Sequence, residues 1–194
     1  MKTVENTAAE GKRFFVHDFL IGNPIVIDRT ERTFSFYNKN IYGQVSDLDN
    51  PSRKQVSDRE ISGLTKRLNN SSYNFNNSKV VDQFIYDYLM TDEQRAACRR
   101  APYIDNTLIT ASDSYSEAIR GMCAWVFDDA SKYAPAMPES RDKMLAYCEK
   151  HLQTVDEQGK PQQPRSSVVG RLQEAKDAVA PPQPGSGARV ADAR

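Results

Sequence analysis

The sequence predicts an α+β fold, in which a small N-terminal antiparallel β-meander of three or four strands packs on four or five helices and a largely extended C-terminal tail follows. Three observations predict it. Residues with β propensity alternate over the first quarter of the chain, and apolar stripes at helical spacing occupy the middle. The segment 154–194 then holds five prolines and four glycines. Strands first and helices afterwards favour α+β over an alternating α/β order.

These patterns divide the chain into three parts. Residues 1–12 are polar, and we expect them to be a flexible N-terminus. Residues 13–153 are predicted to form a single α+β body, because the strong apolar stripes continue to Leu152 and then stop. Residues 154–194 are the Pro/Gly-rich tail, and the body is expected to fold without it.

The strands of the meander are predicted from period-two alternation between polar breaks. Residues 13–21 are rich in aromatic and β-branched side chains, and residues 25–27 resume this pattern after Gly22-Asn23-Pro24. Residues 33–37 alternate most cleanly between apolar and polar side chains. A short fourth strand is predicted over 41–45.

Four or five helices are predicted to follow the meander. Ser57-Asp58-Arg59-Glu60 and Thr91-Asp92-Glu93-Gln94 are capping boxes, in which the first and last side chains each bond the other residue's backbone amide. Apolar residues recur at helical spacing after each start. The predicted helices begin near Ser57, Ser78, Thr91, Ser114 and Glu139.

The tail contains one segment with the pattern of a short amphipathic helix, at 167–179. Ser167 is a suitable N-cap, and apolar residues then recur along one edge. A helix of about a dozen residues that contains Gly170 is marginal alone in water, so it needs a surface to dock on. The residues predicted to dock on a partner or on a neighbouring copy are Val168, Val169, Leu172 and Val179.

Composition limits the compartment and the kind of partner. Twenty-six basic and twenty-six acidic residues cancel, so the chain lacks the long-range field that draws proteins to nucleic acid or anionic membranes. The sequence has no run of about 18 apolar residues, and its first residues lack an apolar leader core. It therefore predicts a soluble cytoplasmic protein.

The cysteines do not have the pattern of a disulfide scaffold or a zinc site. Cys98, Cys123 and Cys148 are odd in number and far apart, so we predict reduced thiols, at least two of them buried. Cys148 and His151 share a helix face, but two ligands do not complete a tetrahedral zinc site. We interpret the pair as a core cysteine and a histidine at an exposed helix end. We predict no metal site and no cofactor.

The sequence also lacks the motifs of common enzymes. There is no Gly-x-Ser-x-Gly, no His-Glu-x-x-His and no glycine-rich phosphate loop. The paired carboxylates Asp47 with Asp49 and Asp128 with Asp129 are interpreted as solvated turn and helix-end residues. We therefore predict no catalytic residue, and an enzyme of unknown class is only a third hypothesis.

The leading hypothesis is a non-enzymatic interaction or assembly protein whose tail docks on a partner or on a neighbouring copy. A body with an extended arm is also the plan of many accessory or structural proteins of virus and phage particles, which is an analogy in plan alone. The alternative is a nucleic-acid-binding regulator that uses the basic region 53–67. Tyr37 and Tyr42, which flank Lys39, would add stacking surfaces for single strands. The candidate nucleic-acid contacts are Arg53, Lys54, Arg59, Lys66 and Arg67.

Overall fold

The computed structural model describes residues 11–19, 23–40, 44–73, 80–130 and 138–162. The described residues up to Pro161 belong to one compact unit. The predicted tail helix at 167–179 lies outside the described residues, as do the docking residues predicted on it.

Seven strands form within the described residues, and all their pairings are antiparallel. They are β1 (Phe14–Phe19), β2 (Ile25–Asp28), β3 (Thr33–Phe36), β4 (Asn38–Lys39), β5 (Val45–Ser46), β6 (Ser52–Gln55) and β7 (Asn106–Ser112). Five of them make one sheet in the order β6-β3-β2-β1-β7, and β4 with β5 makes a separate two-stranded ladder.

Five helices complete the described part of the body. They are α1 (Asp58–Asn69), α2 (Val80–Phe84), α3 (Asp92–Ala96), α4 (Tyr115–Ala130) and α5 (Pro138–Leu152). The segment Ile85–Leu89 continues α2 as a π-helical turn, in which the Met90 amide donates to the Ile85 carbonyl at 3.0 Å. Strands precede most of the helices, and the predicted α+β class is confirmed.

Strand β1 is covered on both faces, and its alternating side chains enter two separate cores. Phe14 and Val16 lie in the first core, and Phe15 lies in the second. Because successive side chains of a strand point to opposite faces, the period-two pattern of the sequence predicts this division. The neighbouring strand β2 is likewise buried along its whole length.

The pair α4 and α5 covers the first face of the sheet. At Gly121 the backbone of α4 approaches β7 so closely that a Cβ atom there would lie 2.9 Å from Cγ2 of Thr110. This close approach explains why the smallest residue stands at that position of an apolar helix. The helical members of the first core include Ala118, Ile119, Met122, Val126, Met144 and Cys148.

Helices α1 and α2 cover the second face. Both predicted capping boxes are present: the Ser57 hydroxyl accepts from the Glu60 amide, and the Thr91 hydroxyl accepts from the Gln94 amide. Each box satisfies amides that have no partner within the helix. The second core consists mainly of Ile61, Leu64 and Leu68 from α1, Phe84 and Ile85, and Ile25, Ile27 and Phe34 from the sheet.

The meander β1-β2-β3 is confirmed, but two strands of the sheet were not predicted. The entirely polar sequence of Ser52–Gln55 predicts only a loop and the approach to the first helix, and in the structure all four of its side chains are exposed. The sequence predicts no element over Asn106–Ser112, between Pro102 and Ser114. Both strands are at sheet edges, where pairing on one side and a single covered face leave little hydrophobic pattern to detect.

Packing continues past Gln153, where the sequence pattern placed the end of the body. Val155 is buried in the first core and forms an antiparallel bridge with Pro161. The Arg53 guanidinium donates to the Gly159 carbonyl at 3.0 Å. The turn between Val155 and Pro161 therefore belongs to the folded body, although its polar sequence carries no apolar stripe.

Gly159 provides the sharpest test of this packing. Its φ is +72°, and a Cβ atom there would lie 2.4–2.8 Å from ring atoms of Tyr115. We expect Gly159→Ala to lower the free energy of unfolding by about 1–3 kcal/mol, from strain and overpacking together. Urea denaturation of the full chain measures it.

The matched control is Gly63→Ala, in the middle of α1. There a Cβ atom would meet only the end of the flexible Arg67 side chain, at 3.3 Å, so alanine should raise the free energy of unfolding by about 0.5–1 kcal/mol. If both variants shift stability in the same direction, the described position of the 155–161 turn is wrong.

Candidate interaction surface

The outer edge of β7 is the feature of the described surface best suited to bind another chain. β7 is the last strand of the sheet, and its one strand neighbour within the described residues is β1. The seven residues of β7 include no charged side chain and no proline. Natural sheet edges are usually protected by charges, prolines or short length, because their unpaired amides and carbonyls attract other strands.

The opposite edge of the sheet differs in this respect. β6 is four residues long, and Arg53 and Lys54 occupy its two central positions. A short edge strand with two exposed cations resists pairing with another strand. One edge of the sheet, β6, is thus protected by charge against pairing with another strand, whereas the other edge, β7, carries no charge.

Exposed apolar side chains concentrate near β7. Leu108 is 37% exposed and Tyr103, three residues before the strand, is 64% exposed. Within the described residues, Leu145 is the remaining large apolar side chain of this kind. Thr107 beside Leu108 is also exposed. This part of the surface combines apolar contact area with a strand edge.

A β-bulge restricts the part of β7 that another strand could use. Val16 pairs with Thr110 and His17 pairs with Leu108, so Ile109 is the additional residue. A bulge breaks the hydrogen-bonding ladder locally and increases the twist. We therefore define the β7 arm as Asn106–Leu108, the stretch before the bulge, in which Thr107 and Leu108 are exposed.

Two of the five basic side chains predicted to contact nucleic acid are paired with carboxylates within the body. Lys54 pairs with Glu60 at 3.0 Å, and Arg67 pairs with Asp82 at 2.7 Å. Arg53, as described above, is bound to a backbone carbonyl. Backbone and hydroxyl hydrogen bonds at Ser57, followed by Lys54, lower the pKa of Glu60 to about 2, so that carboxylate is charged at neutral pH.

Two of the five side chains predicted to contact nucleic acid have charges that no described carboxylate neutralises. Arg59 and Lys66 make no ion pair with any described residue. They line a groove of about 420 Å³ along the outer side of α1, together with Ser62, Gly63 and Arg67, and with Glu60 at its margin. The structure thus brings Arg59, Lys66 and Arg67 together on one helix face and separates them from Arg53.

Tyr37, the described aromatic member of the predicted stacking surface, is not exposed for stacking. Tyr37 is almost fully buried in the first core, which also contains Val45 and Leu48. Lys39 donates to Asp18 at 2.8 Å and lies 5.3 Å from the centroid of the Trp125 ring. Tyr42 lies outside the described residues.

His151 was predicted at an exposed helix end, and that prediction is wrong. Its side chain is 1% exposed, and its Nδ1 atom lies 2.7 Å from the Asp49 carboxylate. On the other side, Nε2 lies 3.4 Å from the Tyr115 hydroxyl, which is 3.3 Å from the Tyr37 hydroxyl. Asp49, which the sequence suggested only as a solvated turn residue, therefore holds α5 to the loop after β5.

His17 forms a second buried polar contact, on the other side of β1. Its Nδ1 donates to the Asn106 side chain at 2.8 Å, and its Nε2 accepts from the Tyr88 hydroxyl at 2.5 Å. Burial lowers the pKa of His17 to about 4, a shift that the hydrogen bond to Asn106 partly opposes. A neutral histidine satisfied at both nitrogens joins β1, β7 and the π-helical turn, which is a structural role.

The described residues contain no cluster of three or more His, Cys, Asp or Glu side chains that could hold a metal ion. Among the same residues, no helix is both long enough and apolar enough to cross a membrane. Each of the two buried histidines has both ring nitrogens within hydrogen-bonding distance of protein groups.

Comparison of the chain with protein-family models, with curated proteins and with solved structures finds no match in any of the three. Interpretation therefore depends on the geometry of the surfaces described above.

The His17 contact predicts a pH dependence of stability. The folded pKa of about 4 lies below the ordinary value of 6.5, so the unfolded chain binds the proton more readily. The stabilisation is complete above pH 6.5 and is lost as the pH falls toward 4, by about 3 kcal/mol in total.

Histidine NMR signals followed against pH test this directly. The signal of His17, assigned by its loss in His17→Gln, should stay in its neutral position until about pH 4. A midpoint near 6.5 in the folded protein would show that His17 is exposed to solvent and that the contact with Tyr88 is not formed.

Proposed function

We propose that this protein is a non-enzymatic interaction and assembly protein that associates with a second copy of itself through the β7 arm, Asn106–Leu108. The observation that supports the proposal is the neutral, exposed edge of β7, since the other edge of the same sheet carries two cations. Strand addition supplies backbone hydrogen bonds at such an edge, and Leu108 adds apolar contact.

The absence of charged side chains on the β7 arm favours a second copy of this chain as the partner. In an antiparallel pair related by a two-fold axis, each residue meets its own counterpart or a near neighbour in the other strand. Like charges directly opposite each other destabilise such a pair, and the β7 arm has none. The chain as a whole has a net charge of zero, so two copies also lack long-range repulsion.

The β7 arm alone is too small for a stable dimer. A stable interface buries about 800 Å² on each partner, far more than a three-residue arm provides. The predicted tail helix, with Val168, Val169, Leu172 and Val179, is the proposed second contact between copies. Two weak contacts on one chain reinforce each other because the first raises the effective concentration of the second.

The proposed setting is a reducing compartment such as the cytoplasm. The three cysteines are unpaired, which suits a compartment that keeps thiols reduced. Proteins are the proposed partners, and no membrane contact is included.

Thr107→Lys tests the role of the β7 arm. In the two-fold arrangement centred on Thr107, the substitution places two lysines opposite each other at the edge. We expect the dissociation constant for self-association to rise at least about tenfold, which corresponds to 1.4 kcal/mol. Light scattering across a concentration series measures the mass, and thermal unfolding checks that the exposed substitution leaves the body intact.

Ser52→Lys, on the opposite edge strand β6, is the matched control. Ser52 is exposed at a sheet edge, as Thr107 is, but it is outside the proposed interface, so its variant should associate as the unmodified chain does. Equal loss of association in both variants would indicate a general charge effect. A chain that stays monomeric at every concentration would contradict the proposal itself.

A second function, nucleic-acid binding, is supported by the groove along α1. Arg59 and Lys66 are seven residues apart and therefore about 10 Å apart along the helix, and neither is neutralised by a described residue. Cations along a groove can follow the backbone of a single strand. The proposal is restricted to the α1 face, because Arg53 and Lys54 are engaged elsewhere.

The double variant Arg59→Ala/Lys66→Ala tests this second function. Fluorescence anisotropy with a labelled single-stranded oligonucleotide should show weaker binding and a salt-dependence slope smaller by about 1.4, the value for two lost phosphate contacts. Lys143→Ala/Lys150→Ala, with the same spacing on the exposed side of α5, should bind as the unmodified chain does. Salt-independent binding, or equal losses in both variants, would contradict an α1 interface.

A further inference from the structure

Two of the three cysteines lie in the same core on the adjacent helices α4 and α5. Cys123 on α4 and Cys148 on α5 are both fully buried in the first core. The Arg120 guanidinium binds both carboxylate oxygens of Glu149, at 2.6 and 2.9 Å. Arg120 lies one helical turn before Cys123, and Glu149 directly follows Cys148, so the ion pair brings the same segments of the two helices together.

The two thiols are neighbours in this core, and each alters the ionisation of the other. The Cys148 thiol, with burial, raises the pKa of the Cys123 thiol. The Cys123 thiol lowers the pKa of the Cys148 thiol, and Arg120 acts in the same direction. Of the two sulfurs, Cys148 is therefore the one on which negative charge is favoured.

We propose that Cys123 and Cys148 form a dithiol site that hydrogen peroxide oxidises to a disulfide joining α4 to α5. The Cys148 thiolate attacks one peroxide oxygen, which breaks the O–O bond and gives a sulfenic acid and, after protonation, water. The Cys123 sulfur then attacks the Cys148 sulfur, and the hydroxyl group leaves as a second water with the Cys123 proton. The two thiols lose two electrons in total, and the peroxide gains them.

A small oxidant suits this site because the thiols have no solvent-exposed surface. Larger disulfide reagents need the helices to separate first, whereas hydrogen peroxide is close in size to water. The disulfide would close a loop that contains the connection between α4 and α5. It constrains the unfolded chain, so the oxidised protein should melt at a higher temperature.

Cys98 differs from this pair in its burial and in its position in the fold. It is half-buried in the turn after α3, and its thiol donates to the Gln94 carbonyl at 3.3 Å. It lies outside both helices of the pair, and the site does not need it. Cys98→Ser is therefore a control that leaves the proposed chemistry unchanged.

The test treats the full chain with hydrogen peroxide under native conditions and maps the products by mass spectrometry. The expected result is a loss of two hydrogens, a linked peptide pair containing Cys123 and Cys148, and complete reversal by dithiothreitol. Cys98→Ser should give the same linked pair. Cys123→Ser should instead accumulate a sulfenic acid on Cys148, which dimedone traps.

Three outcomes would overturn the proposal. They are oxidation confined to Cys98, linked peptides that include Cys98, and irreversible oxidation of Cys148 without a link to Cys123. The map of the unmodified chain decides among these results even if the Cys123→Ser variant fails to fold. The proposal concerns the core of the body and is independent of self-association through the β7 arm.

Discussion

The position of β1 between β2 and β7 is the constraint on which the rest of the structure depends. Its side chains alternate between two cores, so neither face of the strand can be left in water. Helices must therefore cover both faces, with α4 and α5 on one side and α1 and α2 on the other. The buried histidines follow from the same arrangement, because His17 is on β1 itself and His151 lies against the core that Phe14 enters. A polar group in either place needs a protein partner, since water is excluded.

The sequence predicts the local part of this arrangement well. Period-two alternation identifies the meander, and the capping boxes at Ser57 and Thr91 mark helix starts, because both signals depend on residues close together in the chain. The interactions it does not predict join distant residues. Asp49 and His151 are 102 positions apart, and the ion pair between Arg67 and Asp82 depends on how α2 packs against α1. A single sequence contains no record of such pairs, so it predicts neither the burial of His151 nor the ion pairs within the basic region.

The same limit explains the candidate surface. The sequence of β7 gives little sign of a strand, and its importance depends on its being the last strand of the sheet, which only the topology reveals. The basic residues of β6 show the reverse case. In the sequence they suggest nucleic-acid binding, but in the structure they belong to an edge strand, where their charge discourages pairing with another strand. Protection of one edge and not the other is a property of the whole sheet. The contrast between the two edges supports association through β7, and the zero net charge of the chain is compatible with it.

Residue-resolved hydrogen exchange of the dilute protein tests the central claim, that β1 is fixed between two cores, most directly. The amides of Phe15, Val16 and His17 should exchange only through global unfolding, with protection equal to the free energy of unfolding measured by denaturant. Under the same conditions, outward-facing amides of the β7 arm should exchange orders of magnitude faster. Exchange of the β1 amides through local opening would contradict the account, because it would mean that one of the two helical layers does not hold the strand.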